Sequence, residues 1–171
     1  MATAIGSQAM ADTDTSDLAA KVLTVSDGVV AGTREDRSGA ALAELFEAAG
    51  YDIAEQRVVA DGVENVRAAL VEMAADFTGV IVTTGGTGFG PRDLTPEGTR
   101  EVLEREAPGI AEAMRLVNPL GRLSRSIAGT RGTALILNAP GSPKGAAETV
   151  EAVLDVIPHA IRLMGAAPTE H

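Results

Sequence analysis

The sequence predicts a single α/β domain in three layers, with helices on both faces of a mostly parallel sheet. Three observations carry that expectation. Lys21-Val22-Leu23-Thr24-Val25-Ser26, Gly79-Val80-Ile81-Val82 and Thr133-Ala134-Leu135-Ile136-Leu137-Asn138 are short, apolar and β-branched, the pattern of strands buried on both faces. Between them lie stretches with apolar residues at helical spacing, and strands that alternate with helices pair in parallel. The length, 171 residues, suits one domain with a real core.

Residues 1–19 are small, polar and aperiodic and read as a flexible extension ahead of a domain over 20–167, with 168–171 as a tail. The first strand runs into Asp27–Gly39, a loop long enough to suggest function. A helix follows from about Gly39 to Ala49, with Leu42, Leu45 and Phe46 on one face and Gly50 as its stop. Tyr51–Ala60 reads as the second strand, ending at Asp61-Gly62. Val63–Ala75 reads as a helix presenting Val66, Ala69, Leu70 and Met73.

The central strand Gly79–Val82 then enters Thr83-Thr84-Gly85-Gly86-Thr87-Gly88-Phe89-Gly90-Pro91-Arg92-Asp93-Leu94-Thr95-Pro96-Glu97. Its end reads as a helix start, with Thr95 as cap, Pro96 at the first helical position and Glu97 at the positive end of the helix dipole. That helix is expected to run to about Glu106 and break at Pro108-Gly109. A second helix carries Ile110, Ala113, Met114 and Val117, and Leu120–Gly132 reads as irregular and basic. The strand 133–138 ends in Ala139-Pro140-Gly141-Ser142-Pro143-Lys144-Gly145, where Ser142 caps a last helical region that bends or restarts at Pro158.

Composition narrows the function. The net charge of −10 argues against nucleic acid or an anionic membrane as main partner, and four aromatics give no base-stacking platform. There is no cysteine, hence no disulfide or thiolate chemistry. A Ser-His-Asp triad would need His159, which falls on a late apolar helix. No apolar run approaches the roughly 18 residues that span a membrane, and the first 20 residues lack the features of a secretory signal, so a cytoplasmic protein is expected. Half of the 14 basic residues (Arg34, Arg37, Arg92, Arg122, Arg125, Arg131 and Lys144) fall in loops or their edges, which favours a local anion site.

In a parallel sheet the strand ends Ser26-Asp27, Asp61-Gly62, Thr84-Gly85 and Asn138-Ala139 share one carboxyl edge, where ligands bind in open α/β folds. The glycine loop there is neither a P-loop, which needs Gly-Lys-Ser/Thr, nor a dinucleotide fingerprint, which would require glycine at Pro91 or Asp93. Its glycines let backbone N–H groups converge on a phosphate. Asp93 beside a phosphate then needs a metal ion or a proton. Asp27, Asp61 and Asp93 could share Mg²⁺ with substrate phosphates, or Asp27 and Asp61 could simply cap their loops. Ser142 and Lys144 open a helix whose N-terminus attracts anions, and Arg125 could clamp a phosphate or carboxylate in two-pronged fashion. Without cysteine or a placed histidine, positioning and metal-assisted phosphoryl or nucleotidyl transfer is the expected chemistry.

The segment Thr83–Gly88 followed by Pro91–Glu97 resembles the signature of the MogA/MoaB family of molybdenum-cofactor biosynthesis proteins. Ser26-Asp27-Gly28 with Asp36-Arg37-Ser38-Gly39, Asp61, Ser124-Arg125 and Pro140–Gly145 add to the resemblance, in order, from residue 21 to about 165. It implies the same fold and a molybdopterin adenylyltransferase that uses ATP, molybdopterin and Mg²⁺ and releases pyrophosphate. It also implies a homotrimer or hexamer and transient contact with a molybdate insertase. By the same resemblance Asp61 and Asp93 are catalytic and the Mg²⁺ ligands. Ser26, Asp27, Gly28, Thr84, Gly85, Gly86, Thr87, Gly88, Arg92, Ser124, Arg125, Pro140, Gly141, Ser142, Pro143 and Lys144 would bind nucleotide and pterin. The family also holds members without this activity, so a pterin-binding or partner-binding module is the alternative. Its multidomain relatives need more chain than 171 residues provide.

Overall fold

The computed structural model describes residues 17–165. In chain order it contains β1 (Ala19–Val25), α1 (Asp27–Val30), α2 (Arg37–Ala48), β2 (Asp52–Val59), α3 (Val63–Ala74) and β3 (Gly79–Thr84). Then follow α4 (Thr95–Arg100), β4 (Arg105–Glu106), α5 (Pro108–Leu116), a 3-10 turn over Pro119–Leu123, β5 (Ala128–Arg131), β6 (Ala134–Ala139), α6 (Pro143–Glu151) and α7 (Ile157–Gly165). Most of the expected N-terminal extension and all of the tail 168–171 lie outside the described residues.

The six strands form one sheet in the order β2-β1-β3-β6-β5-β4. β1 pairs in parallel with β2 and β3, and β3 with β6, in register from Gly79 opposite Ala134 to Thr84 opposite Ala139. β3 and β6 are buried along their whole length, which is why each carries a run of successive apolar residues rather than an alternation. Successive side chains still divide between two faces. Val80, Val82, Leu135 and Leu137 pack with Leu42 and Phe46 of α2, Met114 of α5, Val150 of α6 and Ile157 and Ile161 of α7. Ile81, Ala134 and Ile136 pack with Val66, Leu70 and Met73 of α3 on the other side. These are the two outer layers. No helix among the described residues is long and apolar enough to cross a membrane.

Four local expectations are corrected. The helix expected to reach Glu106 stops at Arg100, and Arg105-Glu106 pair with Gly129 and Thr130 as an antiparallel edge. The stretch read as irregular, Leu120–Gly132, holds most of the 3-10 turn and all of β5, which returns antiparallel along β6. The long loop after β1 is shortened from both ends, because Ser26 caps α1 through its hydroxyl and Asp36 caps α2 by accepting the Gly39 N–H at 3.0 Å. Thr95 does not cap α4: it lies inside the helix, and its Oγ1 is buried with no hydrogen-bond partner among the described residues.

Candidate active site

The carboxyl ends of the four parallel strands meet at one cleft of about 980 Å³. The ends of β1 (Thr24, Val25, Ser26) and β3 (Thr84 to Gly88), together with Asp61, Asp93, Ser124 and Pro140 to Pro143, line it. The rim is completed by Thr33 to Ser38 and by Leu120 and Leu123 of the 3-10 turn.

The glycine loop is held in an unusual backbone course. Gly85 and Gly86 have φ of +97° and +68°, the left-handed region that side chains disfavour. A Cβ at Gly85 would lie 2.3 Å from the Val25 carbonyl, and one at Gly86 would lie 2.2 Å from Thr95 Oγ1 and 3.2 Å from Asp61 Oδ1. At Gly88 and Gly90 the same atom would meet Asp93 Oδ2 at 2.9 and 2.8 Å. The glycines therefore make room for the two carboxylates. Bonds from Gly85 N to Ala139 O, Thr95 N to Gly86 O and Arg125 N to Thr87 O fix the loop from three sides. The N–H groups of Gly86, Thr87 and Gly88 find no acceptor among the described residues, which leaves consecutive donors for an anion.

Asp61 is tied to Asp27 by a reciprocal pair of bonds. The Asp27 N–H donates to Asp61 Oδ2 at 2.9 Å, and the Asp61 N–H donates to Asp27 Oδ1 at 3.1 Å. Arg92 then grips the Asp27 carboxylate with two prongs at 2.8 and 3.0 Å and donates to the Asp61 carbonyl at 3.0 Å. The Arg92 hydrogen bond holds the Asp27 carboxyl below its ordinary value of 3.8. Partial burial pushes Asp61 upward, reinforced by Asp27 and Asp93 and opposed by the Asp27 N–H and Arg92. Asp93 Oδ2 accepts the Gly90 N–H at 2.9 Å.

Arg125 behaves like Arg92. Its Nε donates to the Gly88 carbonyl at 2.7 Å, and its terminal nitrogens bond the Glu97 carboxylate and the Asp93 carbonyl. The two-pronged clamp foreseen for Arg125 exists, but it closes on a carboxylate of α4. It braces the loop that carries Asp93.

Of the expected site residues, Ser26, Asp61, Thr84 to Gly88, Asp93, Ser124 and Pro140 to Pro143 come together around the cleft. Ser142 caps α6 as expected, accepting the Gly145 N–H at 3.1 Å, and Thr84 Oγ1 donates to the Pro140 carbonyl at 2.8 Å. Asp27, Gly28, Arg92 and Arg125 do not line it; Asp27, Arg92 and Arg125 bond residues that do or their neighbours. Lys144 points away, its side chain 88% exposed and 3.7 Å from Glu148. The segment Thr33–Arg37 lines the cleft, although only its Asp36 and Arg37 belong to a motif. Its signals in sequence are the length of the loop and the loop cations Arg34 and Arg37. Leu120 and Leu123 give none, since apolar residues in an irregular basic stretch carry no period.

Among the described residues no group of three or more His, Cys, Asp or Glu could hold a metal by itself. Asp61 and Asp93, with their carboxylates seated against glycines of the loop, are the two acids that could hold Mg²⁺ if substrate phosphates supplied further ligands.

Residues 21–159 match the profile of a family described as a probable molybdopterin binding domain. The chain belongs to the MogA/MoaB family. It is 38% identical over 150 residues to a molybdopterin adenylyltransferase of Helicobacter pylori, covering 84% of this chain and 85% of the relative. The molybdopterin adenylyltransferase of Escherichia coli K12 is 36% identical over 142 residues, 78% of this chain and 72% of the relative. Among solved structures, the molybdopterin biosynthesis enzyme MoaB of Thermus thermophilus superposes with a TM-score of 0.81 at 45% identity, covering 88% of this chain and 98% of that one. The Mog protein of Mycobacterium ulcerans gives 0.79 at 38% identity, with 86% and 99% covered. As a MogA/MoaB member, the chain has its three-layer fold in common with these structures.

Proposed function

We propose that this protein is a molybdopterin adenylyltransferase of molybdenum-cofactor biosynthesis. It joins the adenylyl group of ATP to the phosphate of molybdopterin and releases pyrophosphate. The observation that carries the reading is the placement of Asp61 and Asp93 on one cleft with a glycine loop whose amide donors are free. The relatives named for this activity support it.

Within the cleft, the free N–H groups of Gly86 to Gly88 and the N-terminus of α6 would hold phosphate oxygens. Asp61, fixed by its reciprocal bonds with Asp27, and Asp93, fixed by Gly90 and by Arg125, would hold Mg²⁺ and orient the pterin phosphate toward the α-phosphorus. When bound, the ion neutralises phosphate charge and lowers the barrier to displacement. The contribution of the chain is positioning. An oxygen of the pterin phosphate forms the new bond to the α-phosphorus as the bond to the β-phosphate oxygen breaks, and pyrophosphate leaves with that electron pair.

The test is a single-turnover reaction of the purified protein with molybdopterin and Mg-ATP, beside Asp93→Asn. Adenylyl-molybdopterin from the wild type and about a hundredfold less from the variant is the expected result. Chelation of Mg²⁺ should abolish the product and added Mg²⁺ restore it. Tight pterin binding with no adenylate in excess Mg-ATP would favour the non-catalytic alternative instead. The reading extends to a cytoplasmic homotrimer or hexamer that hands its product to a molybdate insertase. Leu116, Leu120 and Leu123, exposed by 76, 71 and 58%, support an interface between copies. Sedimentation of a stable monomer would sink the oligomer.

A further inference from the structure

An adenylyl transfer brings several negative charges into a cleft already lined by the carboxylates of Glu35, Asp36, Asp61 and Asp93, so a protein cation facing the ligand would favour binding. Three of the loop cations singled out in the sequence are otherwise engaged. Arg92 is held by Asp27, Arg125 by Glu97, and Lys144 lies outside the cleft beside Glu148. Arg34 and Arg37 line the cleft. Arg37 pairs with Glu35 at 3.3 Å, whereas the guanidinium of Arg34 has no hydrogen-bond or ion-pair partner among the described residues.

Arg34 is nevertheless firmly seated. The Gly28 carbonyl accepts three bonds, from Thr33 N at 2.9 Å, Thr33 Oγ1 at 3.1 Å and Arg34 N at 3.2 Å. The stem of the side chain crosses the face of Gly28, where a Cβ would lie 2.6 Å from Arg34 Cδ and 3.0 Å from Cγ. Gly28 itself follows Asp27, whose amide bonds the Asp61 carboxylate. The backbone that positions Asp61 thus also carries a cleft-lining arginine with an open fork, so less entropy is lost when that fork closes on an oxyanion.

We propose that Arg34 is a substrate-binding residue of this cleft, its guanidinium taking a phosphate group of the incoming substrate in two-pronged fashion, and that Gly28 is the positioning residue that seats its stem. The inference rests on the adenylyltransferase reading for the identity of the substrates. The phosphate belongs either to the ATP triphosphate or to the pterin, and the experiment separates the two.

Steady-state kinetics of Arg34→Gln, Arg34→Lys and Gly28→Ala are measured against each substrate, with equilibrium binding of Mg-ATP and of molybdopterin in parallel. For Arg34→Gln, KM for one substrate should rise about tenfold with kcat within a factor of two, the mark of a contact present equally in ground and transition states. A rise for ATP identifies the triphosphate and a rise for the pterin its phosphate. Arg34→Lys should recover part of the loss, and Gly28→Ala should raise the same KM because its methyl displaces the stem. Thermal unfolding of Arg34→Gln should match the wild type, as no internal bond is removed. Unchanged KM and Kd for both substrates would overturn the proposal, as would a fall in kcat alone. If the wild type makes no adenylate, the functional reading fails by itself. The binding arms still decide Arg34: a tenfold weaker Kd for either ligand upholds it and equal values refute it.

Discussion

Truncating Arg125 to alanine removes a brace whose weight can be worked from its contacts. The side chain bonds the Gly88 carbonyl, the Asp93 carbonyl and the Glu97 carboxylate, with Arg125 and Glu97 side chains 31 and 37% exposed. An exposed ion pair contributes about 0–1 kcal/mol, and losing one partner of a fully buried pair costs about 3–5 kcal/mol. This pair stands between those limits, and water can reach the freed carbonyls. Arg125→Ala should therefore cost about 2 kcal/mol, or roughly 4–8 °C in Tm for a chain of this size. Urea unfolding followed by far-ultraviolet circular dichroism suits a protein without tryptophan, with protein concentration held fixed so that any assembly contributes equally. Arg125→Lys should recover less than half of the loss, because an ammonium cannot fork between two carbonyls and a carboxylate. A change under about 0.5 kcal/mol, within the range of ordinary surface substitutions, would refute the brace.

Three further outcomes follow from the same contacts. The Arg125 hydrogen bond holds the Glu97 carboxyl below its ordinary 4.5. A depressed folded-state value stabilises above the unfolded value and is lost as pH falls through the folded one, so the stability advantage over Glu97→Gln should shrink below about pH 4.5; a difference independent of pH from 7 to 3 would exclude the linkage. Gly86→Ala must place a methyl against Thr95 Oγ1 at positive φ, and should cost about 3 kcal/mol with loss of adenylylation; a Tm within 1–2 °C of wild type would contradict the geometry. Tyr51 buries its hydroxyl without a hydrogen-bond partner among the described residues, and burial pushes that hydroxyl up to about 12. Tyr51→Phe keeps the edge-on contact with Phe46 and should gain about 1 kcal/mol, whereas a loss of similar size would reveal a partner for the hydroxyl.

The parts of the fold that are buried on both faces were legible, because β1, β3 and β6 are built around short apolar runs (Val22-Leu23, Val80-Ile81-Val82, Ala134-Leu135-Ile136-Leu137). The antiparallel edge was not. Arg105-Glu106 are exposed and β5 begins Ala128-Gly129, so neither shows an apolar period; β5 is a strand because β6 offers it a free edge, and β4 because β5 in turn offers one. The strand ends converge as the parallel topology requires, bringing Asp61 and Asp93 to one cleft. What sequence could not apportion was the duty of each arginine. Arg92 and Arg125 look like phosphate ligands in the linear chain, yet their carboxylate partners lie 65 and 28 positions away. Only the folded chain reveals that they are already paired. Arg34 shows the reverse: in sequence it is one of seven loop cations with nothing to set it apart, and in space it is an open cation of the cleft.

The bonds that shape the cleft join residues far apart along the chain: 34 positions separate Asp27 from Asp61, 65 separate it from Arg92, and 32 separate Asp93 from Arg125. None of these pairs can form inside an isolated helix or hairpin. Closing such long loops must precede any gain from the contacts, which makes parallel sheets slow to fold. A fragment ending before β6 lacks both the strand that holds Gly85 and the turn that caps α6, so it retains no reduced version of the cleft. Recovery of ligand binding during refolding should then lag behind recovery of helical signal, and the cleft serves as a clock for the final step of assembly.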